Sequence, residues 1–208
     1  MSRPVRLYDL GPSPNNMKAR LALAYKKIPY EKIPVDPQDR RAVIEASGQP
    51  LTPVLLHGDT VVYDSYAITR YLDANWPKSP RLYSADRETM KKIEEWENFT
   101  RSEGSAPIGA CFAELFAPEK NADRLRKANE NVNRVAARVE EALAKRPFLL
   151  GDAPTAADFA LAPMQFYGAV PEAYAERNPV AAFFRKHLKI AGAPRTLDWI
   201  SRVMEWDR

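Results

Sequence analysis

Ser13-Pro14-Asn15-Asn16-Met17-Lys18-Ala19-Arg20-Leu21-Ala22-Leu23, together with Leu51-Thr52-Pro53-Val54-Leu55 and Tyr63-Asp64-Ser65 further along, are the stretches on which the reading of this chain turns. The first follows a short apolar segment, Pro4-Val5-Arg6-Leu7-Tyr8, that reads as a strand. Pro14 suits the first position of a helix, where a missing N–H costs nothing, and Ser13 before it is of the residue type that caps a helix start. Met17, Leu21, Leu23 and Ala24 then predict a helix over 16–26. Outward from there, Tyr30–Val35 reads as a second strand, and Asp39–Ala46 as a short helix closed by the turn formers Ser47-Gly48-Gln49-Pro50. Val54–Leu56 and Thr60–Tyr63 flank His57-Gly58-Asp59 as a hairpin, and Ser65–Asn75 is a helix that ends near Trp76-Pro77, because proline cannot continue it. The order is βαβαββα.

From Ser84 onward the pattern is helical only, with segments 86–103, 122–145, 155–167, around 179–188, and 194–206. Trp76–Tyr83 carries two prolines and reads as a stiff, exposed linker. The expected division is a first domain over 1–78, a linker over 79–85 and an all-helical second domain over 86–208. One helix start is strongly signed: Thr155 at the cap and Asp158 three residues on form a capping box, with Pro154 and Phe159 available as a hydrophobic staple.

A chain of 208 residues, 45% of them hydrophobic, can bury an ordinary core. Its longest apolar runs, such as Val54-Leu55-Leu56 and Phe159–Ala162, fall far short of the roughly 18 residues a membrane span needs. No membrane association is expected. Met1–Leu7 passes into Tyr8-Asp9 before an apolar stretch develops, so no secretory signal is read and the expected location is cytoplasmic. The single Cys111 excludes two-cysteine redox chemistry within one chain and fits a reducing compartment. A net charge of +4, with basic and acidic residues interspersed, gives no basic stripe for nucleic acid. His57 and His187 lack metal-ligand spacing with Cys or carboxylates, and no metal is expected.

With these residues in place the chain resembles a cytosolic glutathione transferase, of the serine type and bacterial-like, along nearly its whole length. The resemblance is carried by Leu7-Tyr8 with Ser13–Leu23, by Thr52-Pro53-Val54-Leu55, by Asp64-Ser65-Tyr66-Ala67-Ile68-Thr69-Arg70-Tyr71-Leu72, and by Phe148–Asp152 with Thr155–Asp158. It implies an α/β thioredoxin-like N-terminal domain of βαβαββα order followed by an all-α C-terminal domain. It further implies a homodimer with one glutathione site per subunit, glutathione as co-substrate with no other cofactor, and a hydrophobic electrophile as second substrate, in detoxification.

Conjugation needs a thiolate, and a free thiol with pKa about 8.5 is only slightly ionised at neutral pH. Lowering that pKa by two units requires roughly 2.7 kcal/mol of preference for the charged form. One hydrogen bond to the ion, about 1.5–3 kcal/mol, and one helix N-terminus, about 0.3–1 kcal/mol, suffice. The resemblance assigns the hydrogen bond to Ser13, with Asn15 as second candidate and Asn16 behind it. From the residues alone, Ser13 also reads simply as the helix cap; the two roles are compatible, since its oxygen can accept a backbone N–H while its proton points at the thiolate. Tyr8 reads as packing at a strand end.

Thr52-Pro53 is, by resemblance, a cis-proline site where the backbone of Thr52 pairs with the cysteinyl part of glutathione. Asp64-Ser65 would hold its γ-glutamyl end at a helix N-terminus, where N–H groups and dipole favour an anion; capping is the alternative. The family's usual glycyl contact is replaced here by Pro50-Leu51, which leaves Gln49, Arg40 or Arg41 for the glycyl carboxylate. The acceptor pocket implied by the resemblance is lined by the loop after Tyr8 and by Ala106–Phe112. Two other readings share the scaffold: a non-catalytic glutathione-transferase-like binding module, and a glutathione-dependent peroxidase. Reductase chemistry calls for a cysteine near position 13, which the chain lacks.

Overall fold

The computed structural model describes residues 4–207 and divides into two compact units, 4–84 together with Trp206 and Asp207, and 85–205. In the first unit, β1 (Val5–Asp9), α1 (Pro14–Tyr25), β2 (Tyr30–Pro34), α2 (Arg41–Ser47), β3 (Val54–His57), β4 (Thr60–Tyr63) and α3 (Ser65–Asn75) follow the predicted order. The four strands lie in the order β2-β1-β3-β4, with β1 parallel to β2 and antiparallel to β3, and β3 antiparallel to β4. In β1 the buried side chains alternate, Val5, Leu7 and Asp9, as the period of two of a strand demands. Val54, Leu55 and Leu56 of β3 are all buried, as expected for an inner strand covered on both faces. Gly48 ends α2 at φ 75°, a left-handed cap that glycine adopts without steric cost.

Helix α1 begins two residues before the predicted start because Pro14 itself occupies the first turn. Every residue from Asn16 to Leu23 is buried, which is why the sequence showed only a mixed helical period there. The segment read as an exposed linker is exposed at Pro77, Lys78, Pro80 and Arg81 but anchored at its end. Leu82 is buried at 1% exposure, and the Asp73 carboxylate accepts its N–H at 2.8 Å and that of Tyr83 at 3.3 Å. Lys26 pairs with Asp73 at 2.8 Å and donates to the Pro80 carbonyl at 2.9 Å. A buried ion pair therefore pins the segment to α1 and α3, although its composition is that of a solvated connection.

The second unit contains α4 (Arg87–Phe99), a π-helical turn (Thr100–Gly104), α5 (Ala106–Phe116), α6 (Ala122–Ala142), α7 (Ala156–Phe166), α8 (Glu172–Ala175), α9 (Pro179–His187) and α10 (Pro194–Met204). The predicted helix over 86–103 thus passes into the π turn, where Ser105 N–H donates to Thr100 O at 2.9 Å, and Pro107 opens a further helix, α5, that the predicted segments did not include. A Cβ at Gly104 would stand 2.7 Å from Leu161 Cδ1, so a larger residue at this turn would have to displace the Leu161 side chain. Helix α6 buries Leu125, Ala128, Val132, Val135, Ala136 and Val139, an amphipathic stripe, whereas α7 is buried on all sides. Four-residue α8 is too short to leave a periodic signal. The capping box at α7 is formed: Thr155 N–H donates to Asp158 Oδ2 at 2.8 Å, and Thr155 Oγ accepts from Ala157 N–H at 3.3 Å. Asp158 also accepts from Leu149 N–H and Trp199 Nε1, each at 2.9 Å. None of the described helices is long and apolar enough to cross a membrane.

Candidate functional site

The loop Leu10–Ser13 joins β1 to α1 and is shaped by α1. Ser13 takes the extended N-cap conformation, and its carbonyl accepts the N–H groups of Asn16 and Met17 at 3.0 Å. Its N–H in turn donates to Leu10 O at 2.9 Å. The expected side-chain cap is not made: with those amides already on the Ser13 carbonyl, the hydroxyl forms no capping bond. The side chain that orders the loop is Asn16, which is fully buried. Its Oδ1 accepts from Leu10 N–H at 3.0 Å and its Nδ2 donates to Thr52 Oγ1 at 3.0 Å, so it holds the loop against the segment before β3. The Thr52–Pro53 peptide in that segment is cis, as the resemblance implies.

At the start of α3, Asp64 adopts φ 69°, ψ 123°, a conformation that costs a non-glycine residue free energy and clusters at functional sites. Its carboxylate caps the helix by accepting from Tyr66 N–H at 2.9 Å and Ala67 N–H at 3.1 Å. Ser65 is buried, receives a hydrogen bond from Lys18 Nζ at 3.2 Å, and directs its hydroxyl toward Asn15 Oδ1 at 3.5 Å. Lys18 is itself only 1% exposed, and its ammonium stands 3.4 Å from the centroid of the Tyr66 ring, a cation–π contact. The N-termini of α1 and α3 therefore meet through Asn15 and Ser65, with a buried ammonium behind them. Helix dipoles and the ammonium favour a negative charge at this place, and the Asp64 carboxylate already supplies one at the start of α3.

Lys18 was legible in the sequence only as one cation of a basic helix, and its burial gives it a weight that the motif did not. Gln49 is occupied locally: its amide donates to Ser47 Oγ and Leu51 O, and it accepts from Leu51 N–H at 2.7 Å, which folds the turn before Thr52. Arg41 pairs with Asp39 at 2.6 Å on the surface. Arg40, by contrast, has a guanidinium nitrogen, Nη1, that is enclosed without a hydrogen-bond partner. Tyr8 packs beside the cluster of Val43, Val54 and Leu56, as a strand-end residue should.

In the second unit, Ile108 and Cys111 of α5 are buried, and burial beside Glu114 pushes the Cys111 thiol up to about 12. Such a thiol is an inert packing group at neutral pH. Phe112 and Phe116 on the same helix are 42% and 72% exposed, with ring centroids 5.3 Å apart. His57 bonds Tyr71 Oη at 2.8 Å and packs on Trp76. Among the described residues no group of three or more His, Cys, Asp or Glu could hold a metal ion.

A family model described as the N-terminal domain of glutathione S-transferase matches residues 7–80, and one for its C-terminal domain matches residues 119–202. Glutathione S-transferase U14 of Arabidopsis thaliana is 28% identical over 138 residues, covering 64% of this chain and 51% of that protein. Glutathione S-transferase F10 of the same plant is 26% identical over 188 residues, covering 83% and 86%. The chain spans about half the length of the first of these plant relatives. The crystal structure of the theta class glutathione S-transferase from Xanthomonas axonopodis pv. citri, solved with glutathione bound, superposes with a TM-score of 0.76 at 22% identity, over 97% of this chain and 93% of that one. With both domain models matched in order, on a mixed four-stranded sheet followed by a helical unit, the chain belongs to the glutathione S-transferase family.

Proposed function

We propose that the protein is a glutathione transferase that binds reduced glutathione, holds its thiol as the thiolate, and delivers it to a hydrophobic electrophile. The observation that carries this reading is the meeting of two helix N-termini through Asn15 and Ser65, with Lys18 buried behind Ser65, where the cap of the first helix, Ser13, keeps a hydroxyl that its own helix does not use. Ser13 donates to the thiolate, and the α1 N-terminus adds its dipole. The backbone at Thr52, ahead of the cis Pro53, pairs with the cysteinyl part, a contact indifferent to side chain. Asp64 and Ser65 hold the γ-glutamyl end, Ser65 through its hydroxyl, while the Asp64 carboxylate caps Tyr66 and Ala67 N–H and shapes the turn. For the glycyl carboxylate, the unpaired nitrogen of Arg40 favours that residue over Arg41 and Gln49, which are engaged elsewhere. Asn15, joined to Ser65, supports the γ-glutamyl end more directly than the thiol.

The second substrate of this reading is a hydrophobic electrophile. A cytoplasmic homodimer that handles foreign electrophiles completes the reading, and the single buried thiol suits a reducing compartment. Calorimetric titration with reduced glutathione at two pH values either side of neutrality tests it. The expected result is micromolar-to-millimolar binding with proton release at the lower pH; absence of binding at millimolar glutathione would leave the fold as a non-catalytic interaction module. Ser13→Ala should lower turnover about tenfold or more with glutathione affinity nearly intact. Loss of turnover in Asn15→Ala instead would move the thiolate contact to Asn15.

A further inference from the structure

Arg20 lies one helical turn after Asn16 on α1 and, like it, is buried and faces the loop that leads to Ser13. Its guanidinium serves three groups. Nη1 donates to the Asp9 carboxylate at the end of β1. Nε and Nη2 form a fork on the two carboxylate oxygens of Asp207, at 2.6 and 2.7 Å. Nη2 also donates to the carbonyl of Gly11 at 3.2 Å. Asp207 follows α10 in sequence, yet with Trp206 it packs on the first unit, where Trp206 meets Tyr25 edge-on at 5.3 Å. The Asp207 side chain is 11% exposed.

The geometry of a guanidinium makes these contacts interdependent. The group is planar and its five N–H bonds have fixed directions. The fork on Asp207 uses Nε–H and one hydrogen of Nη2, so it fixes the plane, and the second hydrogen of Nη2 is thereby aimed at Gly11 O. A contact to Asp9 through Nη1 alone leaves the plane free to rotate about that bond. Gly11 lies between Leu10, whose N–H is held by Asn16, and Ser13, whose N–H is held by Leu10 O. The loop is thus fastened at one end by Asn16 and in its middle by Arg20, and the second fastening depends on a carboxylate 187 residues away from Arg20 in the chain. Lys32 Nζ, 3.8 Å from Asp9 Oδ2, is a further charge beside this cluster.

We propose that Asp207 is a positioning residue for the glutathione reaction: through Arg20 it fixes the Gly11 carbonyl, and with it the turn that presents the Ser13 hydroxyl. The inference rests on the proposed role of Ser13. Asp207→Asn keeps size and one acceptor but turns an NH₂ toward the fork, so the plane of Arg20 is no longer set.

The test compares wild type with Asp207→Asn by amide hydrogen exchange and by the pH profile of conjugation to chlorodinitrobenzene. Exchange at the amides of Leu10 and Ser13 should rise about tenfold, the change expected for one lost charge-assisted bond, with those of β3 and α3 unchanged. The apparent thiol pKa of bound glutathione should move up by about half a unit to one unit, lowering kcat at neutral pH with KM little altered. Asp207→Glu should recover most of the protection. Exchange at Leu10 and Ser13 equal to wild type overturns the proposal, as does a rise spread evenly over the first unit. If Asp207→Asn does not fold, Arg20→Lys, which keeps a cation between the carboxylates but cannot form the fork, provides the same comparison. A wild-type protein that fails to bind glutathione would end the transferase reading, while the exchange data would still decide whether Asp207 holds the loop.

Discussion

Replacing Asn16 by leucine tests whether one buried amide holds the two halves of the site in register. Leucine keeps the branch point and the number of side-chain heavy atoms but is bulkier, so both hydrogen bonds, from Leu10 N–H and to Thr52 Oγ1, each 3.0 Å long, are lost and the surrounding packing must give slightly. A neutral hydrogen bond contributes about 0.5–1.5 kcal/mol net, and a buried donor left unpaired costs about 1–3 kcal/mol. The Thr52 hydroxyl is half-buried and can turn to water, so the penalty falls mainly on the Leu10 amide. Together with some recovery from the added apolar burial, the expected loss is about 2 kcal/mol. For a chain of this size that lowers the melting temperature by roughly 4–8 °C. The functional effect should be larger than the fold's: with Ser13 and Thr52 free to shift relative to one another, kcat/KM for glutathione should fall at least tenfold, about 1.4 kcal/mol in the transition state. Thermal unfolding and steady-state kinetics with glutathione as the varied substrate measure both. A melting temperature within about 1 °C of wild type, with kcat/KM within twofold, would refute the reasoning, because the Asn16 bridge would then carry neither stability nor alignment.

Two further outcomes follow from the same contacts. Lys18→Met keeps a long apolar stem but removes the ammonium behind Ser65; glutathione Kd should rise about tenfold or more through loss of a charge-assisted contact, and an unchanged Kd by calorimetry would show that α3 alone holds the anion. Asp158→Ala strips partners from Leu149 N–H, Thr155 N–H and Trp199 Nε1 together, so its cost should exceed the 0.5–2 kcal/mol of a lone cap and reach about 3–5 kcal/mol, read as a lowered denaturation midpoint; a shift of only a cap's size would mean that the buried donors find other partners.

The elements of the first unit were legible because their signals are local. Pro14, the hairpin around His57-Gly58-Asp59, and the stop at Trp76-Pro77 act through hydrogen bonds and steric limits that span a few residues. The same holds for Thr155 and Asp158, whose reciprocal bonds cross only three positions. The donors that Leu149 and Trp199 add to Asp158 come from 9 and 41 residues away, and no spacing rule announces them. The loops that the sequence singles out do come together, Asn16 with Thr52 and Asn15 with Ser65, but the sequence could not choose between neighbouring side chains. Ser13 and Asn16 are both capping types, and only the path of the backbone past Thr52 decides that Asn16 turns inward while the Ser13 hydroxyl is left unused by the helix.

Sequence by itself determined the order of strands and helices in the first unit, the turn chemistry, and the family motifs, since each depends on residues close together along the chain. Tertiary structure alone decided that Lys18 is a buried cation and not a solvated one, that Leu82 is core and not linker, and that Asp207 reaches Arg20. Those outcomes depend on which surfaces meet when the chain closes. Burial and charge pairing are properties of that meeting, and a one-dimensional pattern of residue types does not contain them.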